Sequence, residues 1–441
     1  MNRHEATSRT AQLYARALQS LPGGVSRNTV LRKPHPLYAE RGEGCRVTDI
    51  EGVERIDFAN NMASLIHGHA HPAITDAVSQ QLKKGTAFTL ATEVEVRFAE
   101  HLLGRNPSFD KLRFVNSGTE AVMGAVKASR AFTGRAKIAK VEGAYHGQYD
   151  YAEVSQTANP GNWGSAEHPQ SVPVARGTPP AALADVVVIP FNDTEAALTI
   201  LQEHKGELAC VLMDLMPHRV GMTPANAEFV TAIREWTSQD GALFVLDEVI
   251  TFRTEVGGIQ TRYDVTPDIT ALGKIIGGGF PVGAIAGSAE VMEVMNPLAS
   301  KVLFPHSGTF SANPITMTAG LTAMELYDEA AVAHVNALGE RARTGIVDAI
   351  RRTEIDACVT GGGSMLRVHL KPSPPRDYRA AYATPEEGRR LALLLDHLFE
   401  QGFMMINTCS VALSTVMGNE EIDALVAAME SGFVKVMAEG R

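Results

Sequence analysis

One lysine, Lys274, lies in an uncharged stretch, Leu272-Gly-Lys-Ile-Ile-Gly-Gly-Gly-Phe280. With Leu272, Ile275, Ile276 and Phe280 around it, the ammonium should be partly desolvated, which favours the neutral amine. A neutral amine near pH 7 is a nucleophile able to form a Schiff base with an aldehyde. A buried lysine paired with a carboxylate is the competing reading, and this stretch alone does not separate the two.

Three further clusters bear on the choice. Asn116-Ser-Gly-Thr-Glu-Ala121 joins a predicted strand end to a helix start. The Ser117 and Thr119 hydroxyls and the free N–H groups of a first helical turn can hold an anion, and Gly118 lets a phosphate approach closely. An ordinary N-cap uses the same residues with no ligand. The lysine of a P-loop and the spaced glycines of a dinucleotide fingerprint are missing, so an adenine nucleotide is not indicated. Asp247 ends the apolar run Leu243-Phe-Val-Leu-Asp247. An acid buried there needs a cation, either a lysine or arginine or a protonated pyridine nitrogen. Val249, on the same face, could lie flat on an aromatic ring. Tyr145 and His146 follow another strand end in Val141-Glu-Gly-Ala-Tyr-His-Gly147, where the tyrosine either stacks on a flat cofactor or packs in the core. A lysine nucleophile, a phosphate cradle, an acid for a ring nitrogen and a stacking aromatic together are the set that pyridoxal 5′-phosphate needs.

The elements that must position these groups follow from periodicity. Aliphatic runs at 111–115, 137–141, 185–189, 209–213, 243–247, 269–272 and 284–286 alternate with helical patterns such as 120–133, 195–204 and 228–240. That alternation predicts a mainly parallel α/β sheet covered on both faces, with ligands at the carboxyl ends of its strands. A helix over 4–21, two short strands and a hairpin turn at Glu51-Gly52 come before it. His67-Gly-His-Ala-His-Pro72 is read as a turn feeding a helix over 73–82 rather than as a metal site, because no i, i+4 pairing or acidic partner is near. Residues 150–180, rich in Pro and Gly, read as a long surface or entrance loop. Helices over 314–327 and 332–352 lead into an α+β segment with strands at 365–370 and 404–407 and helices at 385–401 and 419–437. The expected organisation is an N-terminal segment of a small domain (1–67), a large cofactor-binding α/β domain (68–320) and a C-terminal α+β small domain (321–441).

Composition narrows the function classes. The 441 residues are 45% hydrophobic and 20% charged, with formal net charge −10 and no basic tract, which argues against nucleic acid and anionic membranes as partners. No apolar run is long enough to cross a bilayer, the first residues lack a secretory layout, and the four cysteines are widely spaced. A cytoplasmic enzyme with no metal is the expectation.

The order of these motifs, with Ser307-Gly-Thr-Phe-Ser-Ala-Asn-Pro314, resembles the class III pyridoxal-phosphate-dependent aminotransferases. The nearest branch is the one of glutamate-1-semialdehyde 2,1-aminomutase and the β-amino acid (β-phenylalanine-type) transaminases. The resemblance runs from about Leu21 to Ile422. It implies the type I pyridoxal-phosphate fold and a homodimer with active sites at the subunit interface. It further implies Lys274 as the Schiff-base lysine and Asp247 as partner of the pyridinium nitrogen. Ser117, Gly118 and Thr119 would hold the phosphate, Tyr145 and Val249 would cover the two ring faces, and His146 would stand beside the cofactor. Thr309 would reach the phosphate of the neighbouring subunit. The implied reaction is a ping-pong transfer between an amino donor and a keto acid.

Substrate choice rests on fewer residues. Arg27, in Pro22-Gly-Gly-Val-Ser-Arg-Asn28, resembles an arginine that binds the substrate carboxylate in the β-amino acid transaminases; a solvated loop arginine is the alternative. Two departures argue against an aminomutase. Ile406-Asn-Thr-Cys-Ser-Val-Ala-Leu-Ser414 lacks the glutamate that the mutase carries there, and Thr408 or its neighbours stand where the β-phenylalanine type has an arginine. Met213-Asp-Leu-Met-Pro-His-Arg219 replaces the mutase's Val-Glu-Pro-Val, with Asp214 one methylene shorter and Arg219 a second carboxylate candidate. The expected activity is therefore amino transfer from a β-amino acid to a keto acid, with the intramolecular mutase reaction as alternative and a non-catalytic α/β protein as the third reading.

Overall fold

A computed structural model describes residues 8–439. Its strands are β1 (Ala39–Glu43), β2 (Arg46–Asp49), β3 (Glu54–Asp57), β4 (Lys111–Val115), β5 (Lys137–Val141), β6 (Val186–Ile189), β7 (Leu208–Met213), β8 (Leu243–Asp247), β9 (Ile269–Gly273), β10 (Gly283–Gly287), β11 (Cys358–Gly362), β12 (Met365–His369), β13 (Phe403–Met404) and β14 (Ser410–Ala412). Seven of them form one sheet in the order β4-β10-β9-β8-β7-β5-β6. All run parallel except β10, which is antiparallel to β4 and β9. Both faces are dry, which is why these strands read as unbroken aliphatic runs. Val122, Ala125 and Ala128 of helix Gly118–Thr133 pack on Ile138, Cys210, Val245 and Ala271, whereas Val211, Phe244 and Leu246 meet Phe229 and Ile233 of helix Ala227–Asp240 on the other face.

Strands from both ends of the chain close a second layer. β1, β2 and β3 form an antiparallel meander joined by β13, parallel to β3, while β11, β12 and β14 make a third sheet. Phe58 shares an apolar core with Leu338, Ile346, Leu394, Leu425 and Phe433. The layers are fastened by Arg253, a fully buried guanidinium whose Nε donates to Ser364 Oγ, Nη1 to Ala63 O and Nη2 to Leu413 O.

Several expectations are corrected. Part of the helix expected over 4–21 lies outside the described residues, and the described part is Arg9–Ser20, capped by Ser8. The stretch 150–180 is not a surface loop throughout: Ala152 and Val154 enter the core beneath helix Gly118–Thr133, and Val154 O accepts from the buried Lys140 Nζ at 2.6 Å. Small Ala, Val and Ser residues permit that burial where a count of Pro and Gly suggests exposure. The strand expected over 404–407 is only Phe403–Met404, because the chain turns away to form β14. β11, β14 and helix Glu93–Leu103 were not anticipated; their Gly-rich, short or mixed sequences carry no clear period.

Two of the three histidines near residue 70 fasten their turn, and the expectation of no acidic partner is corrected by Asp57. His67 bridges Thr415 Oγ1 and Ala323 O at 2.8 Å each, and His69 Nε2 meets Asp57 Oδ2 at 2.8 Å. Buried His369 Nε2 lies 3.0 Å from Gly221 O, joining β12 to the loop after β7, and burial holds its pKa down at about 3. The unfolded ring titrates near 6.5, so below that pH the unfolded chain binds a proton that the folded chain refuses. Stability from this histidine is complete above pH 6.5 and lost as pH falls toward 3, by up to roughly 5 kcal/mol. Urea unfolding of wild type and His369→Asn should therefore give stability–pH curves that converge in acid. Parallel curves from pH 7 to 4 would refute it.

Candidate active site

The carboxyl ends of β4, β5, β7, β8 and β9 converge on one volume. Lys274 follows β9 directly and adopts φ +49°, a left-handed conformation that costs a non-glycine residue about 1–2 kcal/mol. Strain of this kind is retained where the backbone must aim a side chain. The Gly277–Gly279 run after it has a packing reason: a Cβ on Gly278 (φ +58°) would collide with the Ala319 carbonyl of helix Pro314–Leu326. Lys274 is partly exposed, and burial pulls its pKa below the usual lysine range against the opposing pull of Asp247 and Asp214.

Val249 ties the three motifs together. A Cβ on Gly118 would lie 2.8 Å from Val249 Cγ1, and one on Gly273 would lie 3.2 Å from that atom and 3.5 Å from the Gly118 Cα. Phosphate-cradle, acid and lysine segments are thus in mutual van der Waals contact. Ser117 is the N-cap of helix Gly118–Thr133, its Oγ accepting from Glu120 N at 3.1 Å, while Glu120 Oε2 accepts from Asn116 N at 2.8 Å. The cap and the cradle are therefore the same structure, and neither reading displaces the other. Thr119 packs against Gly147, just past Tyr145 and His146.

Asp247 is buried; its Oδ2 accepts from His146 Nδ1 at 2.8 Å and its Oδ1 from Val249 N at 3.0 Å. Burial lowers the pKa of His146 despite the carboxylate, so the ring is neutral and donates from Nδ1. His146 thereby orients Asp247. Asp214, just past the end of β7, is pushed well above the usual carboxylate range, first by burial and then by Asp247. Tyr145 is 43% exposed, with the Arg219 guanidinium 5.4 Å from its ring centroid, so it is not a core aromatic. Arg219 Nη1 also donates to Gln156 O at 3.1 Å.

Arg27 and Thr309 lie at the periphery. Arg27 is exposed, and its Nη1 donates to Asn61 Oδ1 at 2.8 Å. Asn61 belongs to a left-handed turn, Asn60–Ala63, with φ between 43° and 67° at all four residues. Asn60 Nδ2 fastens that turn to Ala412 O at 2.6 Å, and Leu65 just beyond it touches the Gly279 position. Thr309 is exposed, beside Gly308, which faces Asn116. Thr408 Oγ1 meets His218 Nε2 at 3.1 Å and Ser410 Oγ at 2.8 Å.

Two buried cations that break apolar strand runs were overlooked in the sequence although their signals are present. Lys140 interrupts a buried strand; its pKa falls to about 7 through burial, and its Nζ braces the turn bearing Tyr145 by donating to Ala144 O at 3.1 Å. Arg367 likewise interrupts the apolar run of β12.

The donor set suits pyridoxal phosphate: free N–H groups and a serine at a helix start, a buried acid, an apolar Val249 against Gly118 and Gly273, an open tyrosine ring, and a lysine that burial pulls toward its neutral form. Fold and site together define a pyridoxal-phosphate enzyme of fold type I. Within that class the chain belongs to the class III aminotransferases, the family described as "Aminotransferase class-III", whose profile matches residues 29–432. It is 34% identical to the glutamate-1-semialdehyde 2,1-aminomutase of Methanosphaera stadtmanae, covering 97% of this chain and 99% of that one. Among solved structures, an omega-transaminase from Sphaerobacter thermophilus aligns with TM-score 0.96 and 45% identity over 98% of this chain and 99% of that one. A β-phenylalanine aminotransferase from Variovorax paradoxus aligns with TM-score 0.86 and 30% identity over 97% and 94%. The enzyme thus acts on small amino and keto compounds. Among the described residues no helix is long and apolar enough to cross a membrane, and no group of three or more His, Cys, Asp or Glu could hold a metal ion.

Proposed function

We propose that the enzyme moves the amino group of a β-amino acid to a 2-oxo acid in two half-reactions at one site. The observation that carries this reading is Arg27, an arginine with no carboxylate partner among the described residues, held by Asn61 on a strained turn just before Leu65, which lies 3.2 Å from a Cβ placed on Gly279. A guanidinium so placed can take a carboxylate lying beyond the reacting carbon. The transaminase relatives support it, as does the 406–414 segment, where Thr408 bonds to His218 and no acidic side chain is present.

Bound pyridoxal phosphate supplies an electron sink for the amine-bearing carbon. In this reading Ser117, Gly118 and Thr119 hold its phosphate, Asp247 faces its ring nitrogen, Val249 and Tyr145 flank its ring, and His146 keeps Asp247 aligned. Lys274 Nζ holds the cofactor and, once released, takes the proton from the substrate carbon and returns it. A second copy of the chain would cover the exposed Phe88, Leu90, Leu298 and Phe310, bringing Thr309 to the partner's cradle in a homodimer.

Arg27→Ala should raise KM for β-amino acids about 10- to 100-fold, as expected for a lost charged hydrogen bond. KM for a carboxyl-free amine such as 1-phenylethylamine should change less than about 3-fold. Equal effects on both amines would remove Arg27 from the pocket. The aminomutase reading, favoured by the likeness to the Methanosphaera stadtmanae protein, differs in one respect. It requires turnover of glutamate-1-semialdehyde with no 2-oxo acid added, whereas a transaminase given only a β-amino acid stops after one turnover.

A further inference from the structure

His146 reaches Asp247 through a single ring bond. Its Nδ1 lies 2.8 Å from Asp247 Oδ2, and its Nε2 is enclosed without a partner. With nothing bonded to the far edge of the ring, the backbone of the turn over 142–147 has to supply the aim. We infer that Lys140 is the positioning residue for that aim, fixing the turn through Ala144 O so that His146 holds Asp247 in line; this rests on the reading above in which Asp247 faces the ring nitrogen of the cofactor.

The turn has few bonds of its own. Glu142 N donates to Ile189 O at 2.9 Å and Gly143 N to Ser155 O at 3.0 Å, just past the end of β5. Ala144 N reaches Val141 O at 3.3 Å, and among the described residues Tyr145, His146 and Gly147 make no backbone hydrogen bond. Lys140 is the one side chain among them that bonds the backbone of this turn. Its Nζ donates to Ala144 O at 3.1 Å, two residues before His146, and to Val154 O at 2.6 Å. Val154 leads into Ser155, a left-handed corner (φ +58°) whose N donates to Val172 O at 2.8 Å and whose Oγ donates to Gln170 O at 2.7 Å. The amine therefore staples the turn to a corner that is itself fixed. At the far end Gly147 is stopped by Thr119, whose Oγ1 would lie 2.5 Å from a Cβ placed there.

Ion pairing does not explain this lysine. Among the described residues Lys140 has no carboxylate within salt-bridge distance, and Glu142, two residues along, is taken by Arg379. Lys140 is fully buried on the same strand face as Ile138, which packs beneath helix Gly118–Thr133. An aliphatic side chain would be easier to bury there than an amine. What an aliphatic chain lacks is donors. Even as the neutral amine, which burial favours, Nζ keeps two N–H groups for its two carbonyls. Lys140 thus stands two bonded steps from the carboxylate, first to the turn at Ala144 O and then from the His146 ring to Asp247 Oδ2.

The test follows proton abstraction by stopped flow in the cofactor-loaded enzyme, from whichever of β-phenylalanine and 1-phenylethylamine wild type accepts. Lys140→Met, close in length but without donors, should slow abstraction about 5- to 10-fold and leave KM for the donor within about 3-fold. In a His146→Phe background the same substitution should slow it less than about 2-fold, because no ring bond to Asp247 is left to aim. Equal losses in the two backgrounds, or no loss where His146 is present, overturn the inference. If Lys140→Met does not fold, Lys140→Gln, with N–H donors on a shorter stem, is read in the same two backgrounds. Its loss should be smaller and again confined to the background that carries His146, and a loss equal in both overturns the inference. Asp247→Asn separates the two readings. If abstraction there stays within about 3-fold of wild type, Asp247 does not serve the ring nitrogen and the inference falls with that reading. If Asp247→Asn is slow while Lys140→Met matches wild type, only the role of Lys140 fails.

Discussion

Lys274→Ala is expected to leave no measurable turnover, a loss of at least about 10³-fold, because in the proposed assignment one side chain would both hold the cofactor and carry the proton. Lys140 is no substitute: it is fully buried in β5 with Nζ committed to two backbone carbonyls, whereas Lys274 directly follows β9, whose last residue, Gly273, lies against Val249 and Gly118. Removing a desolvated amine should not unfold the protein, and the thermal melt should stay within a few degrees of wild type. The visible absorbance of lysine-bound cofactor should vanish although cofactor still binds through Ser117, Gly118 and Thr119. A small primary amine such as methylamine should restore part of the rate. Borohydride treatment of wild type followed by peptide mapping should place the adduct on residue 274. Turnover surviving in the alanine variant, or an adduct elsewhere, would assign the chemistry to another group.

How much of this was legible in the sequence depends on the range of the interaction that makes each feature. The large sheet was readable because strands dry on both faces leave continuous aliphatic runs, as at Leu243–Asp247 and Ile269–Gly273. The strand-end positions of the proposed site residues were readable for the same reason, since Asp247 ends such a run and Lys274 and Tyr145 follow one. What joins them was not. The His146–Asp247 bond spans 101 residues, Arg27 to Asn61 spans 34, and Arg367 to His218 spans 149. No local period encodes those pairings. The left-handed Asn60–Ala63 turn was also hidden, because four non-glycine residues there carry no turn signature; tertiary bonds from Asn60 and Arg253 hold it. Lys140 and Arg367 show that a charge inside a buried run is a signal worth pursuing even when no motif surrounds it.

Asp247→Asn should lower kcat about 10²–10³-fold, the usual cost of losing a preorganised charge at a reacting centre, while the cofactor stays joined to Lys274. The asparagine can still accept at one oxygen, so the fold is retained, but its amide cannot hold a positive charge on the ring nitrogen. The carboxylate is well prepared for that duty. His146 donates to it without neutralising it, because burial keeps the ring uncharged, and Val249 N fixes the other oxygen. Asp214 is raised by burial and by this same carboxylate. His146→Phe should be milder than Asp247→Asn: it frees the carboxylate to rotate without discharging it. Measured by stopped-flow proton abstraction from a β-amino acid donor, the order of rates should be wild type, His146→Phe, then Asp247→Asn. A rate for Asp247→Asn within about 3-fold of wild type would mean that the ring nitrogen draws its charge from elsewhere, and Asp214 would then be the group to replace.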